Sequence, residues 1–262
     1  MRKYWEMMKS QIKIDTAYSG WYWSSTASMI LRMLIIYAFW HAVYENRTTI
    51  EGMPLDIMIT YVVLAMVLNN YLAGVGTQLG NSVRDGSVAI ELMRPYNLLD
   101  KLVALDLGDK ISGTIREAVP LLIIAYLFMG INTPNHWTDF ILFLLSALLG
   151  ILIGTQLDLA VGIMAFWLTN IWGLRMLRNA IILFFSGGLL PITMFPEWLQ
   201  MASRFLPFQY MIYVPVSIYT GQISGLDALY ALLVQIFWLI LVFVIIRLTW
   251  SLAIRKVTIF GG

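Results

Sequence analysis

Residues 228–246 read ALYALLVQIFWLILVFVII, a run of 19 positions without a charged side chain. Residues 57–83 form a second run, of 27 positions, that also lacks any charge. An α-helix needs about 20 apolar residues to cross the roughly 30 Å hydrocarbon core of a bilayer. Both runs therefore predict transmembrane helices, whose outer surface faces lipid rather than water.

The composition of the whole chain agrees with this prediction. Of its 262 residues, 60% are hydrophobic and 12% are charged, and the mean hydropathy is +0.76. A soluble domain is about half apolar and about a quarter charged. Cysteine is absent, which excludes disulfides, and a net charge of +2 is too small to indicate nucleic acid as a partner. With two histidines and no P-loop or hydrolase motif, the chain is expected to hold no catalytic residue, metal or cofactor.

The predicted fold is an all-α integral membrane domain of six spans that occupies the whole of residues 1–262. Residues 1–17 place apolar and basic side chains at helical spacing, which predicts an amphipathic helix in the headgroup region. The third span is short, so we expect it to begin further back, with Arg116 and Glu117 at the inner interface. An interfacial segment through Trp167 and Trp172 follows the fourth span. The predicted spans are 21–43, 57–79, 118–131, 140–162, 176–190 and 228–246.

Basic residues are distributed unevenly between the loops of this topology. With the N-terminus inside, 14 of the 17 Lys and Arg residues fall on the inner side, and only Arg47 and Arg204 fall outside. Arg32 lies within the first span. Cytoplasmic loops of membrane proteins carry an excess of Lys and Arg. We therefore predict a multi-pass protein of the cell membrane with both termini in the cytoplasm.

Several polar residues lie inside the predicted spans. Gly150, Gly154, Asp158 and Gly162 are spaced four apart, which predicts close helix packing along one face of the fourth span. Asp158 and Arg32 are costly in lipid, so each is expected to face a cavity or a partner. Whether these two charges serve structure or transport stays open at this point.

Two further polar sets are less informative. Asn69 and Asn70 in the second span can hydrogen-bond across helices or line a polar path. Asp106 and Asp109 lie three residues apart beside Lys110, a pattern more typical of a solvated helix face than of a catalytic pair.

The charged stretch 81–110 after the second span contains a possible docking element. Residues 88–93 and the leucines that follow offer a small apolar face, and Pro95 ends the helix that they predict. Such a helix suits a partner protein, but an ordinary solvated connector fits the pattern equally well. The candidate coupling residues are Arg84, Asp85, Glu91, Arg94, Pro95 and Leu98.

The order of these parts resembles the ABC-2-type permeases of ABC transporters. The segments SGGLLP (186–191), FPEWL (195–199) and LPFQY (206–210) are similar to the outer stretch of that family, between its fifth and sixth spans. FWLTN (166–170) and the ending Gly261-Gly262 resemble the branch described as viologen and multidrug exporters.

The resemblance implies a type V exporter in which two permeases, identical or paralogous, sit on two ABC ATPase subunits that bind ATP and Mg. It implies that 81–110 contains the coupling helix, that residues 1–17 make a second contact with the ATPase, and that 194–216 form re-entrant helices at the outer exit. The implied translocation path follows spans 1, 2 and 5 and includes Arg32, Asn69, Asn70, Ser186, Gly187 and Gly188. The implied outer gate comprises Pro191, Phe195, Pro196, Trp198, Pro207 and Phe208.

The predicted function is that of the permease subunit of an ATP-driven exporter for an amphipathic small molecule, peptide or lipid. An ion-coupled secondary transporter that uses Arg32 and Asp158 is the alternative. An intramembrane enzyme acting on lipid is a third hypothesis, for which the sequence offers no catalytic cluster.

Overall fold

The computed structural model describes residues 2–17, 19–72, 74–134 and 136–256, which are mostly helical. The ending Gly261-Gly262 lies outside the described residues. Thr49–Ile50 and Met53–Pro54 form a two-stranded antiparallel hairpin, β1 and β2, that pairs Thr49 with Pro54. The α-helices are α1 (Arg2–Ala17), α2 (Ser19–Tyr44), α3 (Leu55–Asn69), α4 (Val75–Arg84), α5 (Ser87–Leu92), α6 (Leu98–Gly113), α7 (Val119–Met129), α8 (Trp137–Ile163), α9 (Trp172–Phe185), α10 (Glu197–Arg204), α11 (Tyr213–Tyr219) and α12 (Gly225–Ala253).

Five helical stretches in the described ranges are long and apolar enough to cross a membrane. They confirm an all-α, multi-pass membrane protein, although not the predicted count of six spans. The fifth predicted span, 176–190, corresponds to α9, which has 14 residues and ends before Ser186. At about 1.5 Å per residue α9 is about 21 Å long, shorter than the hydrocarbon core. The five stretches are Ser24–Tyr44, Leu55–Arg84, Leu98–Met129, Trp137–Phe166 and Gly225–Lys256.

The second stretch is broken, which the predicted continuous span 57–79 did not anticipate. α3 ends at Asn69, a single 3-10 turn covers Asn70–Leu72, and α4 starts at Val75. α3 is buried on all sides between Met58 and Leu68, so it forms the centre of the bundle. Its uniformly apolar sequence is typical of a helix surrounded by protein or lipid, and here protein surrounds it.

The third crossing starts much earlier than the predicted 118–131. α6 and α7 are joined through a π-helical turn at Thr114–Ala118 and form one stretch from Leu98 to Met129. Pro120 lies two residues after this turn, in the first turn of α7. Because a proline ring clashes with the carbonyl four residues before it and provides no N–H, the wider turn relieves the conflict. The predicted inner loop 81–110 is therefore shorter than expected, since its second half belongs to α6.

Helix α1 packs along α6. Lys3 Nζ donates to the Pro95 carbonyl at 2.7 Å, and the Asn97 N–H donates to the Tyr4 hydroxyl at 3.0 Å. Further along, the backbone of Met8 approaches Gly108 so closely that a Cβ there would lie 2.6 Å from the Met8 carbonyl oxygen. The two helices thus run in the same direction, and one face of the predicted amphipathic helix meets protein.

The small residues of α8 pack against neighbouring backbone, as their spacing predicted. A Cβ on Gly150 would lie 2.8 Å from the Met211 carbonyl oxygen, and one on Gly162 would lie 2.6 Å from the Gly76 carbonyl oxygen. α8 therefore lies in backbone contact with α4 on one side and with the segment just before α11 on another. The segment before α12 contains the short helices α10 and α11, of which α11 is buried between α3 and α8. Its predicted re-entrant position in the membrane stays a prediction.

Candidate functional site

A tight turn and a short helix connect α4 to α6. Gly86 has a left-handed φ of 80°, a conformation that glycine adopts without strain, and it starts α5 directly after α4. The Asp85 carboxylate accepts hydrogen bonds from the Ser87 hydroxyl at 2.6 Å and from the Ser87 N–H at 2.9 Å. These hydrogen bonds lower the pKa of Asp85. Two predicted coupling residues, Arg84 and Asp85, thus lie at the corner between two helices and are exposed.

Glu91 ties α5 to the start of α6. Its carboxylate accepts hydrogen bonds from Lys101 Nζ and from the Tyr96 hydroxyl, both at 2.6 Å, and Arg94 Nη1 lies 3.6 Å away. Partial burial raises the pKa of Glu91, but the hydrogen bonds from Lys101 and Tyr96 outweigh that effect and lower it. The connection is therefore a rigid corner rather than a loose loop.

The apolar side chains of this corner divide into a buried set and an exposed set. Val88 is buried, whereas Ile90 is 56% exposed and Met93 is 73% exposed. Leu98, one of the predicted coupling residues, is buried in the core at the start of α6, so it presents no surface to a partner in this structure. Pro95 is exposed, and its carbonyl accepts the hydrogen bond from α1. We refer to Ser87–Pro95 as the docking corner.

Buried charges surround the break between α3 and α4. The Asp158 carboxylate of α8 accepts hydrogen bonds from the backbone N–H groups of Gly74 at 2.9 Å and Gly76 at 2.7 Å. Arg178 of α9 forms an ion pair with the other Asp158 oxygen at 3.3 Å and donates to the carbonyls of Leu72 and Gly154. Asp158 is 1% exposed. The expectation that Asp158 faces the interior of the protein is confirmed.

A second buried ion pair lies on the other side of the same break. Lys110 pairs with Asp106 of the same helix, and both bond to the Thr155 hydroxyl of α8, at 2.7 and 2.8 Å respectively. Asp106 is 4% exposed and Lys110 is 8% exposed, so the prediction of a solvated face is wrong for this pair, although Asp109 is exposed. A Cβ on Gly74 would lie 2.6 Å from Asp106 Oδ1, which shows how closely the pair approaches the break.

A cavity of about 120 Å³ opens beside this pair. Asn70 lines it together with Lys110, Asp109 and Glu117, and Asn70 Nδ2 lies 3.6 Å from the sulfur of Met29. Asn69 is half-buried and does not line this cavity. Of the two predicted path asparagines, the structure therefore places one at a polar opening of the bundle.

The remaining predicted path residues lie elsewhere. Arg32 is exposed on α2 and forms no ion pair within the described part of the chain, so the expected acidic partner is not found among those residues. Ser186–Gly188 form the turn that ends α9. Tyr61 donates a hydrogen bond to the Gly187 carbonyl at 2.7 Å, and the Tyr213 N–H donates to the Ser186 carbonyl at 2.9 Å. This turn is held by the core, and neither it nor Arg32 lines the cavity of Asn70.

The predicted outer-gate residues fall into two groups. Pro191, Phe195 and Pro207 are buried, and Phe208 is half-buried. The Phe195 ring stacks on Phe184 at 4.8 Å. Pro196 and Trp198, in contrast, are exposed at the start of α10.

Sequence reasoning missed the partners of the buried carboxylates. The signal for Lys110 was available, because Asp106 and Lys110 are spaced i, i+4 on one helix. Arg178 carried no such signal, since it meets Asp158 from a different helix. Between the described residues no group of three or more His, Asp or Glu side chains could hold a metal ion.

These elements define a multi-pass α-helical membrane protein with ion pairs buried in its core and an exposed corner between α4 and α6. A family model described as an ABC-2 family transporter protein matches residues 30–261, and the chain therefore belongs to the ABC-2 transporter family. Membership identifies it as a membrane transport component and implies an ABC ATPase partner in general terms. The search of curated proteins finds no match to the chain.

Proposed function

We propose that this chain is the permease subunit of an ATP-driven exporter in the cell membrane, with both termini in the cytoplasm. It forms half of the translocation pathway for an amphipathic small molecule, peptide or lipid, and a second permease, identical or paralogous, forms the other half. A separate ABC ATPase dimer binds ATP and Mg and supplies the energy. The family match and the exposed apolar residues of the docking corner together support this proposal.

The docking corner has the properties of a protein contact. Ile90 and Met93 present apolar surface to solvent, and Arg84 and Arg94 are exposed beside them. Protein interfaces typically have an apolar centre that is surrounded by a polar or charged rim. Because Glu91 fixes the corner to α6, little order is lost when a partner binds.

The same corner is connected directly to the polar core. α4 has ten residues, about 15 Å of rigid helix, and runs from the Asp158 carboxylate at one end to the docking corner at the other. A displacement of the corner by an ATPase would move α4 against Asp158 and Arg178, and Arg178 lies on α9, in the region of the proposed path. Coupling therefore requires no contact between the ATPase and the path itself.

The test is the affinity of the co-expressed ATPase for the permease with Met93→Asp in the docking corner. We expect the affinity to fall about tenfold or more, because a buried interface anchor becomes a desolvated charge. Met201→Asp is the matched control, since Met201 is 63% exposed on α10, far along the chain from the docking corner. Unchanged affinity in Met93→Asp, or export by this chain alone without an ATPase, would contradict the proposal.

A charge reversal separates binding from coupling. Arg94→Glu places a negative charge beside Glu91 and should lower transport per ATP hydrolysed in proteoliposomes. The alternative of ion-coupled transport receives less support, because Asp158 is engaged by Arg178 and Arg32 is exposed on another helix. Uptake driven by a proton gradient without ATP would favour that alternative.

A further inference from the structure

A second cavity, of about 400 Å³, lies where α4 ends and α9 begins. Its wall is completed by residues 165 and 168–171, which connect α8 to α9. Among its lining residues there is no carboxylate. The polar groups that line it are Thr77, Asn81, Arg84, Thr169, Asn170 and Arg175.

The two arginines give this cavity a positive potential, which the neighbouring Asp85 carboxylate offsets only in part and only at Arg84. Arg175 Nη1 donates to the Thr77 hydroxyl at 2.7 Å, which holds the guanidinium at the cavity wall. Neither Arg84 nor Arg175 forms an ion pair among the described residues, and the neighbouring Asp85 accepts hydrogen bonds from Ser87 instead. α9 also begins here without an acidic residue in its first turn, and the Trp172 N–H donates to the neutral Asn170 Oδ1 at 2.8 Å, so no carboxylate compensates the positive end of the helix.

The surroundings of the cavity are those of a membrane–water boundary. Trp172 is 59% exposed at the edge of the cavity. Trp167 lies five residues earlier in the chain, and Lys256 Nζ lies 5.6 Å from the centre of the Trp167 ring. Tryptophan is enriched where headgroups meet the hydrocarbon core. One turn further along α9, Met176 and Leu177 are exposed and offer apolar surface for acyl chains. The cationic cavity and the apolar surface are therefore adjacent on one helix.

We propose that this cavity binds the phosphate headgroup of an anionic phospholipid. Arg175 and Arg84 bind the phosphate oxygens, the hydroxyl and amide groups bind the remainder of the headgroup, and the acyl chains lie along α9. Guanidinium groups form strong charge-assisted hydrogen bonds with phosphate, and basic pockets between membrane helices are suited to anionic headgroups. The site lies where α4 ends and α9 begins and is separate from the cavity lined by Asn70, and lipid binding to it can be measured without the transported substrate.

The test is native mass spectrometry of the full-length protein in detergent, titrated with dioleoyl phosphatidylglycerol or dioleoyl phosphatidylcholine. We expect phosphatidylglycerol to bind more tightly, and Arg175→Gln to weaken it about tenfold through loss of one charge-assisted hydrogen bond. Arg175→Lys should retain part of the preference, because it keeps the charge but not the planar donor pair. Arg47→Gln is the matched control, because Arg47 is an exposed arginine just before β1, and it should leave the binding of both lipids unchanged.

Three results would overturn the proposal. The first is equal binding of the two lipids. The second is full phosphatidylglycerol binding by Arg175→Gln, and a loss of the ATPase subunit from that variant would then assign the cavity to a protein contact. The third is displacement of the lipid preference by inorganic phosphate at millimolar concentration, which would assign the cavity to a free anion. A thermal unfolding curve of each variant establishes that the protein measured is folded.

Discussion

Asp158→Asn should lower the free energy of unfolding strongly, although it replaces only one carboxylate oxygen by an amide group. The carboxylate is almost fully buried, and three hydrogen-bonding groups converge on it: two backbone N–H groups at 2.9 and 2.7 Å, and Arg178 Nη1 at 3.3 Å. Both N–H groups donate to the same carboxylate oxygen, Oδ2, so the asparagine oxygen can accept from both of them. Its amide nitrogen then takes the place of Oδ1 and faces the Arg178 guanidinium as a second donor, and the guanidinium loses its counter-charge.

The magnitude follows from these contacts. Removal of one partner from a buried ion pair costs about 3–5 kcal/mol. The two hydrogen bonds that Asp158→Asn can keep return about 1 kcal/mol each. We therefore expect a loss of about 2 kcal/mol in the free energy of unfolding. Asp227→Asn is the control, because Asp227 is exposed in the first turn of α12 and should lose only about 0.3–1 kcal/mol of helix-dipole stabilisation.

The assay is equilibrium unfolding of the purified protein in mixed micelles with an increasing mole fraction of denaturing detergent. A double-mutant cycle with Arg178→Gln isolates the pair, and we expect a coupling free energy of about 1–3 kcal/mol. Two results would refute the reasoning: stability of Asp158→Asn within about 0.5 kcal/mol of the unsubstituted protein, or strictly additive losses in the double variant.

Three further predictions concern other contacts. Gly76→Ala places a Cβ 2.0 Å from the Asp158 carbonyl oxygen and should prevent stable folding. Gly113→Ala is the control, because its Cβ meets nothing within 4 Å, and it should stabilise its helix by about 0.5–1 kcal/mol. The micelle unfolding assay described above compares the two variants. Tyr61→Phe leaves a buried carbonyl without its donor and should lower the unfolding free energy by about 1–3 kcal/mol. Glu91→Gln should destabilise the docking corner by about 1 kcal/mol at neutral pH. Since the folded pKa of Glu91 lies below its ordinary 4.5, this difference should be present above pH 4.5 and disappear as the pH falls through the folded value, as measured by proteolysis of the corner at each pH.

The class of the fold could be predicted because hydrophobicity is a local property of the chain. Runs such as 228–246 need lipid or protein around them whatever their neighbours are, and α12 covers that run completely. The row of small residues on α8 was equally readable, since glycine spacing reports the distance to a neighbour. The ends of a span could not be predicted in the same way, because they depend on contacts with other helices. α6 begins at Leu98 although it carries five charged residues, because two of them pair within the core and others bond to α5 and α12.

The candidate site was only partly predictable, because contacts between residues distant in sequence leave no local pattern. Arg84, Glu91 and Arg94 lie in one contiguous segment, so their grouping in the docking corner could be expected. Asp158 and Arg178 meet across two helices, and a single sequence contains no record of that pairing. Arg32 shows the opposite failure: a charge in a span demands a partner, but its partner is not in the described part of this chain.

The break between α3 and α4 gives these buried charges a common role. A helix interrupted in a membrane leaves backbone N–H groups that lipid cannot satisfy, and each costs several kcal/mol. Asp158 satisfies two of them, Arg178 satisfies the Leu72 carbonyl before the break, and Asp106 lies against Gly74 within it. The break is thus stabilised only while α8, α9 and α6 keep their positions around it. Any movement of α4 that begins at the docking corner must change the contacts of all three helices together. Arg178→Gln removes contacts at the break but leaves the docking corner intact. We therefore expect this variant to retain ATPase binding and to lose transport. Loss of both activities in parallel would indicate general misfolding and would remove the argument for transmission through α4.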